Sequence, residues 1–467
     1  MLKILKAYKI QLAMAVTLLG FYAAFAYDLE RHDFTRLISL YAGAFFLSYK
    51  LIPLLKFNFK ILLFLGIAAR LVFLIAMPNL SQDYFRFLWD GRLLAEGLNP
   101  YLNTPDQWQA LGQLPITQAQ ELLNGMGALS REHFSNYPPV NQFFFWLSGV
   151  LSGNSILGGV IVLRLSCFAA DLGILYIGRK LLKQLNLPEY QIFWYFLNPF
   201  IIIELTGNLH FEGVMLFFLL ASIYLLFRGN WFWSALLMGL SISVKLLPLL
   251  MLPLFFEYLV TAHSQTEEYS KPFKYLTEKP LQSLWKLVRY YAVVIGVFIF
   301  SFAPFLTEEL VAHFSQTIGL WFQKFEFNAS VYYIIRWIGF QVKGYNIIAS
   351  AGKILPVVVI FGLLLLALFR KSYSKQQLMS TLLLGTSLYF LCATTVHPWY
   401  VATPLVLSVF TRYRFALVWS FVVFLSYSAY KIDRVDENLW LVAAEYVVVL
   451  GFFIWELSGK KTMEIQV

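Results

Sequence analysis

Charge is scarce in this sequence. Asp, Glu, Lys and Arg supply only 13% of the 467 residues, against 59% that are hydrophobic. A chain this poor in charge cannot solvate globular domains of that length. Cysteine is nearly absent: Cys167 and Cys392, the 2 in the chain, both fall inside apolar runs, so no disulfide framework or thiolate metal site is expected. No P-loop, GxGxxG or zinc-ligand spacing occurs, and no separate soluble domain can be marked off. The formal net charge of +10 is not a nucleic-acid signal, because its Lys and Arg sit largely in turns between apolar runs, as the positive-inside rule demands. No nucleic-acid partner is expected.

What is present is apolar runs and aromatic residues, the latter 18% of the chain and gathered near the ends of the runs. The predicted fold class is an all-α polytopic integral membrane protein of about twelve transmembrane helices plus a re-entrant hairpin. The spans fall near 10–27, 37–55, 60–77, 156–178, 190–206, 211–227, 288–306, 347–369, 377–394, 398–411, 414–430 and 438–457. The first follows Lys3, Lys6 and Lys9 and contains Ala24-Phe25-Ala26, a small-x-small pattern like a signal-peptide cleavage site. Because further spans follow at once, it reads as a retained helix. Residues 1–57 thus hold two N-terminal spans, and the whole of 1–467 reads as one transmembrane domain.

Charge parity orders these spans. Basic turns carrying Lys50, Lys56 and Lys60, then Arg179, Lys180 and Lys183, then Arg370-Lys371 and Arg412 with Arg414, belong inside, as do Lys460-Lys461. That leaves 78–155 and 307–346 as the large external segments. Residues 138–153 are apolar but short, and counting them as a span would reverse the Arg179 turn, so they form an interfacial helix. Residues 231–258 lie between Arg228 and a basic run of Lys271, Lys274, Lys279, Lys286 and Arg289, two flanks that both belong inside. Two half-helices broken at Lys245-Leu-Leu-Pro248 satisfy both, as a re-entrant hairpin. Such backbone is tolerated at depth where it is buried in protein or lines a cavity, and an intramembrane Lys marks a functional position.

The stretch 80–101, LSQDYFRFLWDGRLLAEGLNPY, opens the first external segment. As a helix it aligns Tyr84, Phe87, Leu88, Gly91, Leu94, Ala95 and Leu98 on one stripe, with Asp83, Arg86 and Asp90 opposite. Ser81 is placed to cap it, and Asp83 in its first turn is held ionised by the helix dipole. The same side collects Tyr137-Pro-Pro, Asn208-Leu-His210-Phe-Glu212, Lys245, Phe327-Asn-Ala-Ser330 with Arg336, and His397-Pro-Trp-Tyr400. One face of a helical bundle therefore gathers carboxylates, cations and two His.

These motifs resemble, in their order, those of GT-C fold glycosyltransferases that use polyprenyl- or dolichyl-phosphate sugars, and are most similar to the mannosyltransferases. DYFRFLWDGRLLAEGLNPY is similar to the first external loop of the enzyme that adds the first mannose of the GPI anchor. YPPV at 137–140 resembles the YPPL that closes that loop in lipid-linked-oligosaccharide glucosyltransferases. His210-Phe-Glu212 resembles a His-Phe-Gln element, and HPWY at 397–400 a His-Pro-x-Tyr, of the same proteins. The resemblance covers roughly 60–400 and omits the first two spans. The tandem Asp-Asp often found at the loop's start is Gln82-Asp83 here, which removes one ligand of a metal.

The resemblance implies transfer of a hexose, mannose first, from a polyprenyl-phosphate donor to an acceptor hydroxyl, with inversion. Asp83 matches the family's base, with Asp90 one helical repeat on as the second candidate. A carboxylate is what such a step needs to take the acceptor's proton, as in inverting glycosidases, and cations must stabilise the leaving phosphate. The candidates for that phosphate are Lys245, Arg336 and His397. His210, Glu212, Tyr400 and Tyr137 are candidates for the sugar or acceptor hydroxyls. No metal or cofactor is called for beyond the lipid-linked donor. The expected partners are membrane lipids, that donor, and a glycan, lipid or protein acceptor. The expected setting is a bacterial inner membrane or the ER membrane, with the site on the periplasmic or lumenal face. Two rivals share these features: a lipid or lipid-linked-sugar flippase, whose cavity would open to both sides, and a scaffold subunit, whose Asp83 and Asp90 would face away from any cavity.

Overall fold

The computed structural model describes residues 8–261, 280–323 and 325–458. Lys3, Lys6, Lys271, Lys274, Lys279 and Lys460-Lys461, all used in the topology argument, lie outside them. Regular structure among the described residues is helical, relieved only by two isolated bridges, Phe327 with Thr395 and Tyr430 with Val435.

Among the described residues, six helices are long and apolar enough to cross a membrane: Lys9–Asp28, Phe34–Leu54, Ile156–Gln184, Leu281–Phe305, Ile348–Phe369 and Leu439–Leu457. A seventh unit, Pro199–Gly207 with Glu212–Phe227, is bent by 113° at its break. Trp231–Val244, Leu247–Thr261, Pro398–Val409 and Phe415–Ala429 are shorter apolar helices. The polytopic all-α class therefore stands, but about twelve spans of full length do not. Hydropathy registers apolar length and is blind to where the backbone turns. The run at 60–77 is helical only over Phe59–Val72. The run at 190–206 is interrupted at Asn198-Pro199 and ends in a π turn over Ile202–Gly207. In 231–258 the break falls at Lys245, whose backbone is extended at φ −148°, ψ 142°.

Buried polar groups fix these breaks. A helix end leaves carbonyls without partners, and inside an apolar bundle each must find a donor. Arg164 supplies three: its guanidinium donates to the carbonyls of Thr206, Gly207 and Leu74, each at 2.9 Å. Just beyond, Leu209 lies in the left-handed region at φ 63°, a conformation costly for a branched residue. Asn208 holds it there, accepting from the N–H of Leu80 at 2.9 Å and of Asn79 at 3.2 Å while donating to Ile203 O at 3.0 Å. Asn79 in turn donates to Phe25 O and Leu29 O at 2.7 and 3.0 Å, closing the end of the first helix.

Outside the long helices, Asp83–Ala95 packs directly on Pro139–Ser152. A Cβ on Gly91 would lie 2.1 Å from Phe145 O, and one on Gly149 2.2 Å from Gly91 O, so only glycine permits this backbone contact. Pro139–Ser152 buries Asn141, Gln142, Phe145 and Ser148 and leaves Phe143, Trp146, Val150 and Leu151 exposed, the apolar outer face expected of an interfacial helix.

Arg70 and Asp171 form a fully buried ion pair at 2.9 Å, with Tyr195 also donating to Asp171 at 2.9 Å. Removing one partner of such a pair costs about 3–5 kcal/mol, because the other charge stays buried. Arg70→Met is expected to lower the melting temperature of the solubilised protein markedly, and Arg70→Met with Asp171→Asn to recover part of the loss. Equal melting temperatures for the single variant and the parent chain would refute this role.

Candidate functional site

A cavity of about 1410 Å³ opens at the end of the bundle that carries Asp83. Its wall includes Asp83, Tyr137, Glu212, Lys245, Arg336, His397 and Tyr400, residues distant in sequence that the fold brings to one space. Asp90 and His210 are not on that wall.

Asp83 is the first residue of its helix, and its N–H is received by Ser81 Oγ at 3.2 Å, so Ser81 takes the capping part without being the N-cap itself, which is Gln82. The carboxyl is half-buried. Burial pushes it above the usual carboxylate range, while the charges of Lys245 and Arg31 and the Ser81 hydroxyl pull it back.

The polar side of the Asp83 helix is not solvated. Arg86, Asp90 and Arg92 are all buried. Asp90 is enclosed on every side: Oδ1 accepts from Arg86 Nε at 2.8 Å, and Oδ2 from Ser135 at 2.6 Å and Gln142 at 2.9 Å. Arg86 also donates to Ser130 O and His133 O, at 2.6 and 2.9 Å. Asp90 therefore ties the loop to the helix and has no face toward the cavity. Arg92 is likewise structural, donating to Thr117 O and Gln118 Oε1 at 2.5 and 2.9 Å.

Two of the groups expected to hold the phosphate, Lys245 and Arg336, each meet a carboxylate. Lys245 pairs with Glu212, which heads the second limb of the bent unit, so the two breaks in the apolar runs face each other across one ion pair. Arg336 pairs with Glu326 and lies over the Tyr333 ring, 4.2 Å from its centroid. His210 sits behind the wall. Its imidazole stacks on Trp399 at 3.6 Å between centroids and approaches Glu204 at 3.6 Å, while Glu204 accepts from Tyr427 at 2.6 Å. His397 also lies parallel to Trp399, at 4.5 Å. Burial first, then the charges of Arg31 and Lys245, lower His397 to about 3, so its imidazole is neutral at physiological pH. The strand-like pairing of Val396 N with Phe327 O at 2.8 Å joins the 327–330 and 397–400 motifs. Tyr137 packs edge-on against Phe87 and Phe145, and burial raises its phenol, which stays a hydrogen-bond donor.

Wall residues that sequence reasoning passed over include Arg31, Glu326 and Tyr430. Arg31 had a legible signal, since parity puts the 28–36 turn on the same side as 80–101. Glu326 directly precedes the 327–330 motif and Tyr430 ends an apolar run, so neither stood out. Among the described residues no cluster of three His, Cys, Asp or Glu has metal-holding geometry.

Asp83 and Asp90 are therefore separable. Asp90→Ala is expected to destabilise the solubilised protein by about 3–5 kcal/mol, leaving Arg86 buried without its counter-charge, whereas Asp83→Ala keeps a melting temperature close to that of the parent. A parent-like melting curve for Asp90→Ala would overturn the structural assignment.

Residues 59–261 match the family model described as alpha-(1->6)-mannopyranosyltransferase, N-terminal domain. Alpha-(1->6)-mannopyranosyltransferase A of Mycobacterium tuberculosis is 26% identical over 226 residues, 48% of this chain and 42% of that protein. Alpha-(1->6)-mannopyranosyltransferase B of Corynebacterium glutamicum is 28% identical over 161 residues, 34% of this chain and 25% of its own length. The chain thus covers less than half the length of either relative. The resemblance to mannosyltransferases read from the motifs is shown by these matches, and the segment matched by the family model, 59–261, carries Asp83, Tyr137, His210, Glu212 and Lys245.

Proposed function

We propose that this protein is a membrane mannosyltransferase that transfers a mannosyl group from a polyprenyl-phosphate donor to a glycan hydroxyl, in one inverting displacement with Asp83 as the general base. The observation that carries this reading is the half-buried carboxylate of Asp83 on the wall of a cavity shared with Lys245, inside the segment that matches mannosyltransferases. The names of the relatives support an alpha-(1→6) linkage, which puts the attacking oxygen on a primary hydroxyl of the acceptor.

The step balances as follows. Asp83 takes the proton of the acceptor hydroxyl as its oxygen attacks the anomeric carbon, and the bond from that carbon to the phosphate oxygen breaks. Negative charge grows on the departing phosphate, where a fixed ammonium stabilises it more than in the ground state. Glu212 uses one of Lys245's three N–H bonds and leaves two for that phosphate. Asp83 is the base rather than Asp90, since both Asp90 oxygens are already occupied. Tyr137 and Tyr400 stand on the wall as donors to sugar hydroxyls, whereas His210 acts through Trp399. We place the site on the external face of the membrane, with Trp231–Thr261 as a re-entrant hairpin, from the positive-inside pattern of the turns.

The test is a transfer assay with polyprenyl-phosphate mannose and mannose-containing acceptors, using protein purified in lipid nanodiscs. Asp83→Asn is expected to lose about 10²–10⁴ in rate, the usual worth of a positioned base. Transfer at the parent rate by Asp83→Asn would rule out the base.

The pH profile gives a second check. Activity should rise with pH through a limb set by Asp83 that lies above the usual carboxylate range of about 3.9. Lys245 favours the ionised form, so Lys245→Met is expected to move that limb to higher pH besides slowing transfer. A limb that stays in place or falls would contradict the proposed coupling.

A further inference from the structure

The N-terminal hairpin, Lys9–Asp28 and Phe34–Leu54, lies outside the segment 59–261 matched by the family model, and nothing assigns it a part in the chemistry. Its turn nevertheless reaches the cavity, where Arg31 is on the wall beside Asp83, Lys245 and Tyr430. We propose that Arg31 is the anchor for the phosphate of the lipid-linked donor, so that the hairpin is part of the active site. This rests on the reading of the cavity given above.

The argument is one of unspent charge. Lys245 is paired with Glu212, Arg336 with Glu326, Arg86 with Asp90 and Arg434 with Asp436. The acids of Arg31's own turn are also engaged, but elsewhere. Asp28 pairs with Arg36, Glu30 lies 3.3 Å from His32, and Asp33 accepts from the N–H of Arg36 at 3.1 Å. No carboxylate pairs with Arg31 among the described residues, and its Nε is buried without a hydrogen-bond partner. Lys431, also on the wall and without an ion pair among the described residues, is exposed.

A guanidinium on the wall of a ligand-sized cavity, with no carboxylate paired to it among the described residues, is the arrangement expected where a ligand supplies the counter-charge. An anion is the only class of ligand that satisfies a guanidinium fully, and the planar fork fits the two oxygens of a phosphate. The Tyr430 ring backs it, with Cζ 3.3 Å from the ring centroid, and orients the fork without neutralising it.

The placement is rigid. The end of the first helix is closed by Asn79, in the segment that leads into Asp83. Tyr27 donates to Val72 O at 2.7 Å. On the other side Tyr41 stacks on Phe424, 3.6 Å between centroids, and donates to Ser420 O, in the helix that runs on to Tyr430. Arg31 is thus clasped between the chain that positions the proposed base and the chain that carries its aromatic backing.

The experiment measures binding of undecaprenyl phosphate, and separately of uncharged undecaprenol and of inorganic phosphate, to the full chain in nanodiscs of neutral lipid. The parent is expected to bind the phosphate and Arg31→Cys to bind it about ten- to a hundredfold more weakly, as for loss of a charge-assisted hydrogen bond. Aminoethyl methanethiosulfonate, which adds an ammonium at that position, should restore most of the affinity, and the sulfonatoethyl reagent should not. Cys167 and Cys392 are buried, so labelling falls on the introduced thiol. Arg31→Lys, which keeps the charge without the introduced thiol, should retain most of the binding. Parent-like binding by Arg31→Cys, a loss that neither the ammonium nor Arg31→Lys repairs, or inorganic phosphate bound as tightly as the lipid would each overturn the anchor. Transfer tests the other claim: a parent that binds the lipid phosphate through Arg31 but transfers no mannose keeps the anchor and loses the reaction.

Discussion

The structure depends on donors for carbonyls that broken helices leave behind. An unbroken span satisfies its own backbone, and a chain of such spans would place nothing polar at depth. Here the span at 190–227 is cut by a π turn, and Arg164 repairs the cut by bonding Thr206, Gly207 and Leu74 at once. Asn208 then fastens the turn to Asn79-Leu80, and Asn79 fastens that segment to the end of the first helix. Through this chain of bonds the His210-to-Glu212 turn, the start of the Asp83 helix and the N-terminal hairpin become one rigid rim. None of these donors touches the proposed chemistry, yet they set where the Glu212 turn, the start of the Asp83 helix and the N-terminal hairpin meet.

The cavity itself is governed by the cost of holding charge away from water. Lys245 sits where the backbone of 231–258 is extended, and Glu212 where the bent unit turns back, so each break supplies the counter-charge of the other. Arg336 and Glu326 form a second such pair on the cavity wall. Pairing of this kind brings polar groups into an apolar bundle at tolerable cost. Among the described residues it leaves two wall cations without an acid, the exposed Lys431 and the Arg31 guanidinium, which lies against a ring instead. Asp83 stands between these influences, with burial favouring its neutral form and two cations favouring the ionised one.

Much of the site was legible because its residues occur in motifs at chain reversals, where apolar runs stop. The break at Lys245, a short apolar helix at 139–152 and Asp83 at the start of its helix follow from composition, parity and capping alone. The roles within the Asp83 helix did not. Helical spacing shows that Asp83, Arg86 and Asp90 share a side and is silent on what covers that side. The loop between the two helices folds back over it, and Ser135 and Gln142 close on Asp90, which becomes a buried node. The span count failed for a related reason, since fourteen apolar residues in a bent segment and twenty in a straight one raise hydropathy alike.

By itself the sequence determined the all-helical membrane class, the end of the bundle where polar residues gather, and the mannosyltransferase resemblance, because each is written in local composition or short motifs. Only the tertiary structure decided which of those polar residues share a cavity, which are spent on one another, and that the N-terminal hairpin reaches the wall. Those facts depend on pairs such as Glu212 with Lys245 and Arg31 with Tyr430, which are 33 residues apart in the first case and at nearly opposite ends of the chain in the second. Such pairs meet through the buried bonds of Arg164 and Asn208, whose partners no spacing along the chain reveals.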